Sequence, residues 1–552
     1  MKINLIRKIF LTTFLIISFA ETVAYSQENH RYNESGLTEI IKDLTFLSSD
    51  SLKGRYPATV EDSIAAYYIA QQLTCMGYHP LIGDNPVIPF KILLKREALP
   101  ESALTISGVL QDEGIDYSVH PLSKSGKIMG KSFIMNLEQI TDPENLSGLK
   151  EKLKDAVAII KLSDDSLRYI TTPLSEAGVK GVIYYNNRPL SEIPPVRASQ
   201  APIHIVRATE KSMAEIINGL EVYIEGGSRE VIGTTYNVAV VSKKDHNTKM
   251  VLTGAHYDHL GIGGKGTGSM VKEIEIHNGA DDNASGVAAM MKIARNIKSR
   301  GDSLKLNYRY AFAAFGAEEM GLIGSKNLAD TLQALSKLPE LMINLDMVGR
   351  MQENRLQAGG VGTFMGADSL INQINKKYNY TITTTKDGFG PSDHASFYAK
   401  DVPVLYFTTG VHKEYHTPND LSHLINFDGI LGISELITDL LEVVSTSGFK
   451  IQYQKTSSSQ TVNSRSSFNV TFGIIPDFTY EKGDGFRVGS VTPGRAGERA
   501  GLKDKDIIIK INETKINNIY DYMTALSKLN KGDTVDVLLV REGKELKLKI
   551  EL

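Results

Sequence analysis

Between residues 251 and 416 the chain repeatedly ends an apolar run in a short cluster of histidine or carboxylate. The clusters are His256-Tyr-Asp258, Asp281-Asp282, Glu318-Glu319, Asp346 and His416, and the densest stretch among them is Asn278-Gly-Ala-Asp-Asp-Asn-Ala-Ser-Gly286. From residue 236 onward the pattern alternates strand and helix. Residues 237–241, 250–255, 308–315, 341–345 and 402–407 read as strands, 285–297 as a helix with Val287, Met290, Met291 and Ala294 on one face, and 428–444 as a closing helix. Such alternation gives an α/β sheet covered by helices on both faces. Open α/β sheets bind ligands beyond the carboxyl ends of their strands. His256, Asp258, Glu318, Glu319, Asp346 and His416 all fall there. A lone Glu-Glu or His-x-Asp is ordinarily a solvated loop, but the convergence of all of them on one sheet edge is not.

At 552 residues the chain is too long for one core, and about 150 residues per domain gives three or four domains. Hydrophobic content of 41% and charged content of 23% are ordinary globular values, so a large core is expected. A net charge of −3 creates no field that would draw nucleic acid or an anionic membrane, and no nucleic-acid-binding signature is present. Lys2, Arg7 and Lys8 precede the apolar run 9–20, and Ala24-Tyr-Ser26 supplies small residues for cleavage. Residues 1–26 therefore read as a signal peptide. The run is shorter than the roughly 20 residues a membrane span needs. The mature chain is expected to be exported, periplasmic or secreted, with no stable membrane insertion after cleavage. Cys75 is the only cysteine, which excludes an internal disulfide, and it is expected to be an inert buried residue.

Residues 27–95 read as the N-terminal part of the α/β domain, with helical spacing over 36–77. That spacing surrounds the polar loop Leu47-Ser-Ser-Asp-Ser-Leu-Lys-Gly-Arg-Tyr-Pro57, whose Asp50 and Arg55 could neighbour the site but read from chemistry alone as solvated charges. Residues 96–230 read as a β-rich insert, with strands at 156–162 and 180–185 and with His120 and His204 as surface or satisfied histidines. Residues 231–452 form the main part of the α/β domain, 453–467 a linker poor in apolar residues, and 468–552 a compact terminal unit. The glycine-rich segment 261–268 lacks the spacing of a phosphate loop and reads as a flexible loop at the mouth of a cleft.

Two imidazoles with several carboxylates suit a divalent metal taking nitrogen and oxygen ligands, zinc above all. There is one carboxylate too many for a single tetrahedral site, which implies two metals, or one metal and a general base. Glu318 and Glu319 cannot share a role, because adjacent side chains leaving a strand point in different directions. Asp393 and His394 are read as structural support.

The set His256-Tyr-Asp258, Gly279-Ala-Asp-Asp-Asn-Ala-Ser-Gly286, Ala317-Glu-Glu319, Asn344-Leu-Asp346 and Tyr415-His-Thr-Pro-Asn-Asp420 resembles the co-catalytic zinc aminopeptidases of family M28. The insert resembles a protease-associated (PA) domain on the strength of 156–187, and the terminal unit resembles a bacterial-type PDZ domain. The resemblance implies a mixed-sheet zinc-peptidase domain covered by helices on both faces, a β-rich PA-like insert and a C-terminal PDZ-like domain. It also implies two Zn2+ per chain. Asp281 would bridge both ions, with Glu319 and His416 completing one site and His256 and Asp346 the other. Asp258 would accept the second ring N–H of His256. Glu318 would be the general base acting on a metal-bridging water, and a cis peptide would join Asp281 to Asp282. The function implied is hydrolysis of N-terminal residues from peptide or protein substrates. Phe472, Gly473, Ile474 and Ile475 would form the loop that takes a peptide C-terminus. Two other readings are a glutaminyl-cyclase-like single-zinc acyltransferase and a non-catalytic peptide-binding ectodomain. The ligand pair His256 and Asp346 argues against the first, and retention of Glu318 with all five ligands argues against the second.

Overall fold

The computed structural model describes residues 34–162, 167–192, 196, 198–243, 249–264, 266–300, 308–446, 448–456, 470–476, 484–491, 494–517, 519–526, 528–530 and 532–552. The signal peptide read at 1–26 and most of the linker read at 453–467 lie outside the described residues. The chain forms two compact units, one of Met1–Phe90, Tyr236–Gly264 and Gly268–Leu552, the other of Lys91–Thr235 with Lys265–Thr267. The second unit extends beyond the 96–230 read from composition. Its ends fall inside the strands Val87–Ala98 and Ser228–Val241, which run unbroken across the join.

A nine-stranded mixed sheet organises the first unit. Arg309–Phe315, Met250–His256, Leu341–Leu345 and Val404–Thr408 lie side by side in that order and are all parallel. Antiparallel partners flank this centre, Ser228–Val241 beside Arg309–Phe315 and Arg355–Gly359 beside Val404–Thr408. The central strands read as unbroken apolar runs because both faces are buried. In Arg309–Phe315, Tyr310, Phe312 and Ala314 enter one core while Ala311, Ala313 and Phe315 enter the other. The helices Glu34–Leu47, Gly286–Arg300, Ala367–Tyr378 and Phe427–Thr446 close the first core, and Ile323–Ala334 and His394–Tyr398 close the second. Burying a side chain such as Phe312 contributes about 1.5–3 kcal/mol, so the strand order is held from both sides. Cys75, expected in the interior, is exposed. It ends the helix Val60–Cys75, whose inward face carries Ala66, Ile69, Ala70 and Leu73.

In the second unit an eight-stranded sheet has its own parallel centre, Gly126–Met135, Val157–Lys161, Gly181–Asn186 and His204–Thr209. Val157, Ile159, Ile183 and Val206 face one core, and Ala158, Ile160, Val182 and Ile205 the other. Of the histidines read as surface or satisfied, His120 and His204 are both buried, and His120 Nδ1 accepts the Leu122 N–H at 3.1 Å. Residues 470–552 build a six-stranded sheet with a separate core around Phe472, Phe486, Val488, Tyr522, Val537, Leu539 and Ile550. Ile474–Pro476 stands at the end of that strand order and pairs with Phe486–Val491. No helix among the described residues is long and apolar enough to cross a membrane.

Candidate metal centre

His256 is the last residue of the strand Met250–His256, and the Tyr257 N–H donates to the Phe315 carbonyl at 2.9 Å, which ties the ends of two central strands together. The chain after Phe315 then turns through Ala317, at φ +56°, and brings the Glu318 and Glu319 N–H groups onto the Asp258 carboxylate at 2.9 and 3.2 Å. Because two main-chain donors occupy that carboxylate, His256 Nδ1 meets the Asp258 carbonyl oxygen instead, at 3.2 Å against 3.7 Å for Oδ1. Asp258 therefore supports the glutamate pair through its side chain and His256 through its main chain, which differs from the role expected of it.

The helical turn Ala280–Ser285 is anchored from two directions. The Asp420 carboxylate accepts the Asp281 N–H at 3.0 Å and the Asp282 N–H at 3.0 Å. On the other side Asn283 Nδ2 donates to the Leu345 carbonyl at 2.9 Å, while Asn283 Oδ1 accepts the Met347 and Gly286 N–H groups. A Cβ at Gly286 would lie 2.3 Å from Asn283 Oδ1 and 2.5 Å from the Leu345 carbonyl, so only glycine permits this approach. The turn presents Asp282, not Asp281, to the histidines. Asp282 Oδ1 is 3.3 Å from His256 Nε2, and Oδ2 is 3.2 Å from His416 Nε2. Asp281 points away, its Oδ1 accepting the Gly349 N–H at 2.6 Å and its Oδ2 lying 3.2 Å from His412 Nε2. The cis peptide expected between Asp281 and Asp282 joins Asp282 to Asn283.

The other expected ligands converge on Asp282. Asp346 Oδ1 is 3.4 Å from His256 Nε2, and Glu319 Oε1 is 3.1 Å from His416 Nε2. Two donor groups result, His256 with Asp282 and Asp346, and Asp282 with Glu319 and a histidine. Spacings of 3.1–3.4 Å match the edges of a tetrahedron of donors whose metal–ligand lengths are about 2.0–2.1 Å. Among the described residues, Asp346 Oδ1 and His416 Nε2 find no hydrogen-bond partner although both are buried. The glycine-rich segment packs directly on this centre: His416 Nδ1 meets the Gly268 carbonyl at 3.0 Å, and the Met270 N–H donates to the His416 carbonyl at 2.9 Å.

Electrostatics points the same way. Burial opposes ionisation of Asp282, yet the facing His256 and His416 hold its carboxyl well below the usual range. Burial likewise works against Glu319, and His416 nonetheless draws it down to about 2. Against its own burial, His416 is pushed up to about 10 by Glu319 and Asp282, and His256 is raised by Asp346 and Glu318. A potential that holds protons so firmly on buried imidazoles also favours a divalent cation at the same nitrogens.

Arg55 is fully buried rather than solvated. Its Nε donates to the Tyr257 carbonyl at 2.6 Å, Nη1 to the Asn278 and Leu47 carbonyls, and Nη2 to the Gly279 carbonyl at 3.0 Å. It thereby fastens the two ligand-bearing segments to the loop 47–57. Burial lowers its pKa to about 10, against the pull of Asp258, Asp282, Asp420 and Glu319. Asp50 accepts from Asn278 Nδ2 at 2.7 Å. Asp393 and His394 are buried beside the centre, outside both donor groups. Burial pushes Asp393 up to about 7 and His394 down to about 3.

Of the residues expected to take a peptide end, Phe472 is buried in its own core, its carbonyl accepting the Gly497 N–H at 2.6 Å. The Gly473 N–H donates to Thr471 Oγ1 at 3.0 Å, and Ile474 and Ile475 pair through the main chain with Val491 and Ser490. Sequence reasoning passed over the place of Asp282 between the two histidines, His259 altogether, and the burial of Arg55. The repeated aspartate and the second histidine of His256-Tyr-Asp-His259 were the visible signals.

Residues 237–441 match the model of peptidase family M28, and 451–552 match that of the PDZ domain. Aminopeptidase YwaD of Bacillus subtilis (strain 168) is 27% identical over 307 residues, covering 52% of this chain and 61% of that protein. Leucine aminopeptidase 1 of Neurospora crassa is 27% identical over 209 residues, covering 35% of this chain and 50% of its own length. Among solved structures, the aminopeptidase from Aneurinibacillus sp. strain AM-1 aligns with 76% of this chain and 98% of its own, at 23% identity and a TM-score of 0.48. BSAP, a zinc aminopeptidase from Bacillus subtilis, aligns with 75% and 96%, at 21% identity and a TM-score of 0.45. The chain thus spans between half and two thirds of the length of these two curated relatives. With its motifs on the strand ends and the family match over 237–441, the chain carries a peptidase family M28 domain there and a PDZ domain at 451–552.

Proposed function

We propose that this chain is an exported zinc-dependent aminopeptidase that releases N-terminal residues from peptides or proteins. His256, Asp346 and Asp282 would hold one ion, and Asp282, Glu319 and His416 the other. Asp282 takes the bridging role that the family resemblance gave to Asp281. The observation that carries this reading is the placement of the two Asp282 oxygens, one at each histidine, 3.3 and 3.2 Å away. The donors are all nitrogen and oxygen, the set that suits zinc. Two donor groups rather than one weigh against a single-zinc acyltransferase.

When bound, such a pair of ions polarises a carbonyl and lowers the pKa of water. Glu318 is buried, with Oε2 4.0 Å from His256 Nε2, so it faces the same donors without completing either group. In this mechanism its carboxylate takes the proton of the attacking water and hands it to the leaving amine. Asp258 fixes the main chain of both glutamates, so the proton acceptor and the metal-facing carboxylate stay in register. The names of the curated relatives favour a free amino terminus as the substrate's recognised end. In the PDZ domain the strand Ile474–Pro476 lies at the sheet's edge, where a substrate or partner C-terminus would add as a further strand beside Phe472-Gly-Ile-Ile475.

The test is a panel of aminoacyl amides and their N-acetylated counterparts, assayed with and without chelator alongside zinc analysis. Two zinc ions per chain, cleavage confined to free amines, and loss of cleavage on chelation are expected. Equal cleavage of blocked substrates, or full activity after metal removal, would sink the reading.

A further inference from the structure

We infer that His259 is a positioning residue that donates its Nδ1–H to Glu319 Oε1 and so keeps that carboxylate, and not its neighbour Glu318, turned toward the metal. The inference rests on the two-ion reading above. His259 is fully buried, with Nδ1 3.1 Å from Glu319 Oε1 and 3.8 Å from Asp282 Oδ2. By distance alone it could be a further ligand, since it sits in a donor group with Asp282 and Glu319.

The opposite edge of each ring separates the two roles. A ligating histidine almost always hands its second ring nitrogen to a carbonyl or carboxylate. His256 does so at the Asp258 carbonyl, 3.2 Å, and His416 at the Gly268 carbonyl, 3.0 Å. His259 Nε2 has no hydrogen-bond partner among the described residues. A neutral imidazole carries one donor and one acceptor. If Nδ1 holds the proton it satisfies the carboxylate, and the group left unpartnered is a lone pair. If Nδ1 ligated a metal, an N–H would be left without an acceptor in the interior instead. The main chain also fixes the ring: a Cβ at Gly279 would come within 2.6 Å of it, and the His259 N–H donates to the Arg55 carbonyl at 3.4 Å. His256-Tyr-Asp-His259 then works as one clamp. His256 ligates, Asp258 holds the main chain of both glutamates, and His259 holds the side chain of one.

Asn and Leu at position 259 discriminate, because the Asn side-chain N–H falls near the place of Nδ1–H and cannot replace an imidazole ligand. Full-length wild type, His259→Asn and His259→Leu are titrated with Zn2+ against a competing chelator, and the visible spectra of their Co2+ forms are recorded. Loss of a supporting contact costs about 10–100-fold in metal affinity, so His259→Leu should weaken one ion by that factor and spare the other, while His259→Asn stays within about threefold of wild type with an unchanged Co2+ spectrum. His259→Asn losing an ion as fully as His259→Leu would make His259 a ligand and overturn the inference. Equal affinities in all three chains would overturn it as well while leaving the two-ion reading intact. A wild type that takes up one ion refutes both. Should His259→Leu not fold, His259→Asn alone decides, since a ligand role forbids its binding two ions at wild-type strength.

Discussion

The peptidase domain and the insert each contain four parallel strands at the centre of a sheet, and they differ in the residues that cap the strand ends. In the insert, Gly126–Met135 runs into Asn136, whose side chain accepts the Gln139 N–H at 2.9 Å in a reciprocal cap. Asn186 Nδ2 closes onto the Leu162 carbonyl at 3.0 Å, and Thr209 Oγ1 accepts the Ser212 N–H at 3.2 Å. These neutral polar groups find hydrogen-bond partners inside the insert. In the peptidase domain the strand ends gather Asp282, Glu319, Asp346, His256 and His416 in the interior, where Asp282 and Glu319 are held low and His256 and His416 high against their burial. Buried charge of this kind is costly unless it is paired or bound to metal. A shared layout therefore sets where such groups can gather, and among the described residues only the peptidase domain gathers acids and imidazoles there.

The largest effect that sharpens this contrast is catalytic. Glu318→Gln should leave two ions bound and cut kcat by about 10²–10⁴-fold, the share typical of a positioned acid–base group. Near-normal turnover with full metal content would remove Glu318 from proton transfer. Next come the adjacent aspartates. Asp282→Asn should weaken both ions by more than about 100-fold, beyond the loss a supporting contact gives, whereas Asp281→Asn should cost about 10-fold or less. Metal titration of the two variants settles which aspartate bridges, and the reverse order would restore Asp281. Smaller again is the effect of metal removal on stability. An ion present at 100 times its dissociation constant stabilises the folded state by about 2.7 kcal/mol. Chelation should speed hydrogen exchange around the turn Ala280–Ser285 and leave Val157–Lys161 unchanged. Equal loosening of both strand systems would erase the distinction between them.

Much of this was legible from residue order because parallel buried strands are apolar runs that stop abruptly. Leu341–Leu345 ends at Asp346 and Met250–His256 at its histidine, so the sheet and five of its polar termini could be placed unaided. The choice between Asp281 and Asp282 could not. In the turn Ala280–Ser285 neighbouring side chains leave in different directions, and only the partners, Gly349 and His412 for one, His256 and His416 for the other, distinguish them. The burial of Arg55 was equally hidden, since carbonyls from Tyr257, Asn278 and Gly279 create it from far along the chain. Cys75 shows the same limit at the scale of one helix position, where a single step beyond Leu73 and Thr74 reaches solvent.

Acid separates the two regions by the depth of one histidine each. His394 in the peptidase domain stacks on Tyr406 at 4.5 Å between centroids, and burial pushes it from 6.5 to about 3. Burial also lowers His204 in the insert. A folded-state value below the unfolded one means that the unfolded chain binds a proton the folded chain refuses. The stability this contributes is complete above about pH 6.5 and is lost as pH falls toward the folded value, at about 1.4 kcal/mol per pH unit for one group. Between pH 6.5 and about pH 5 His394 alone therefore costs the peptidase domain about 2 kcal/mol. The neighbouring Asp393, pushed up to about 7, opposes that loss because the folded chain holds a carboxyl proton that the unfolded chain releases. His394→Phe keeps a ring against Tyr406 and removes only the histidine's share, so in denaturant unfolding the variant should gain on the wild type by about 2 kcal/mol as pH falls across that range, while the insert keeps its slope. If the difference between variant and wild type stays constant over the same window, His394 contributes no pH dependence there, and the carboxylates around Asp282 do not mask it. Glu319 at about 2 and Asp282, also held low, keep their charge until the pH falls below the ordinary carboxylate range. The acid response would then come from a group common to both regions, and the contrast drawn from His394 would fail.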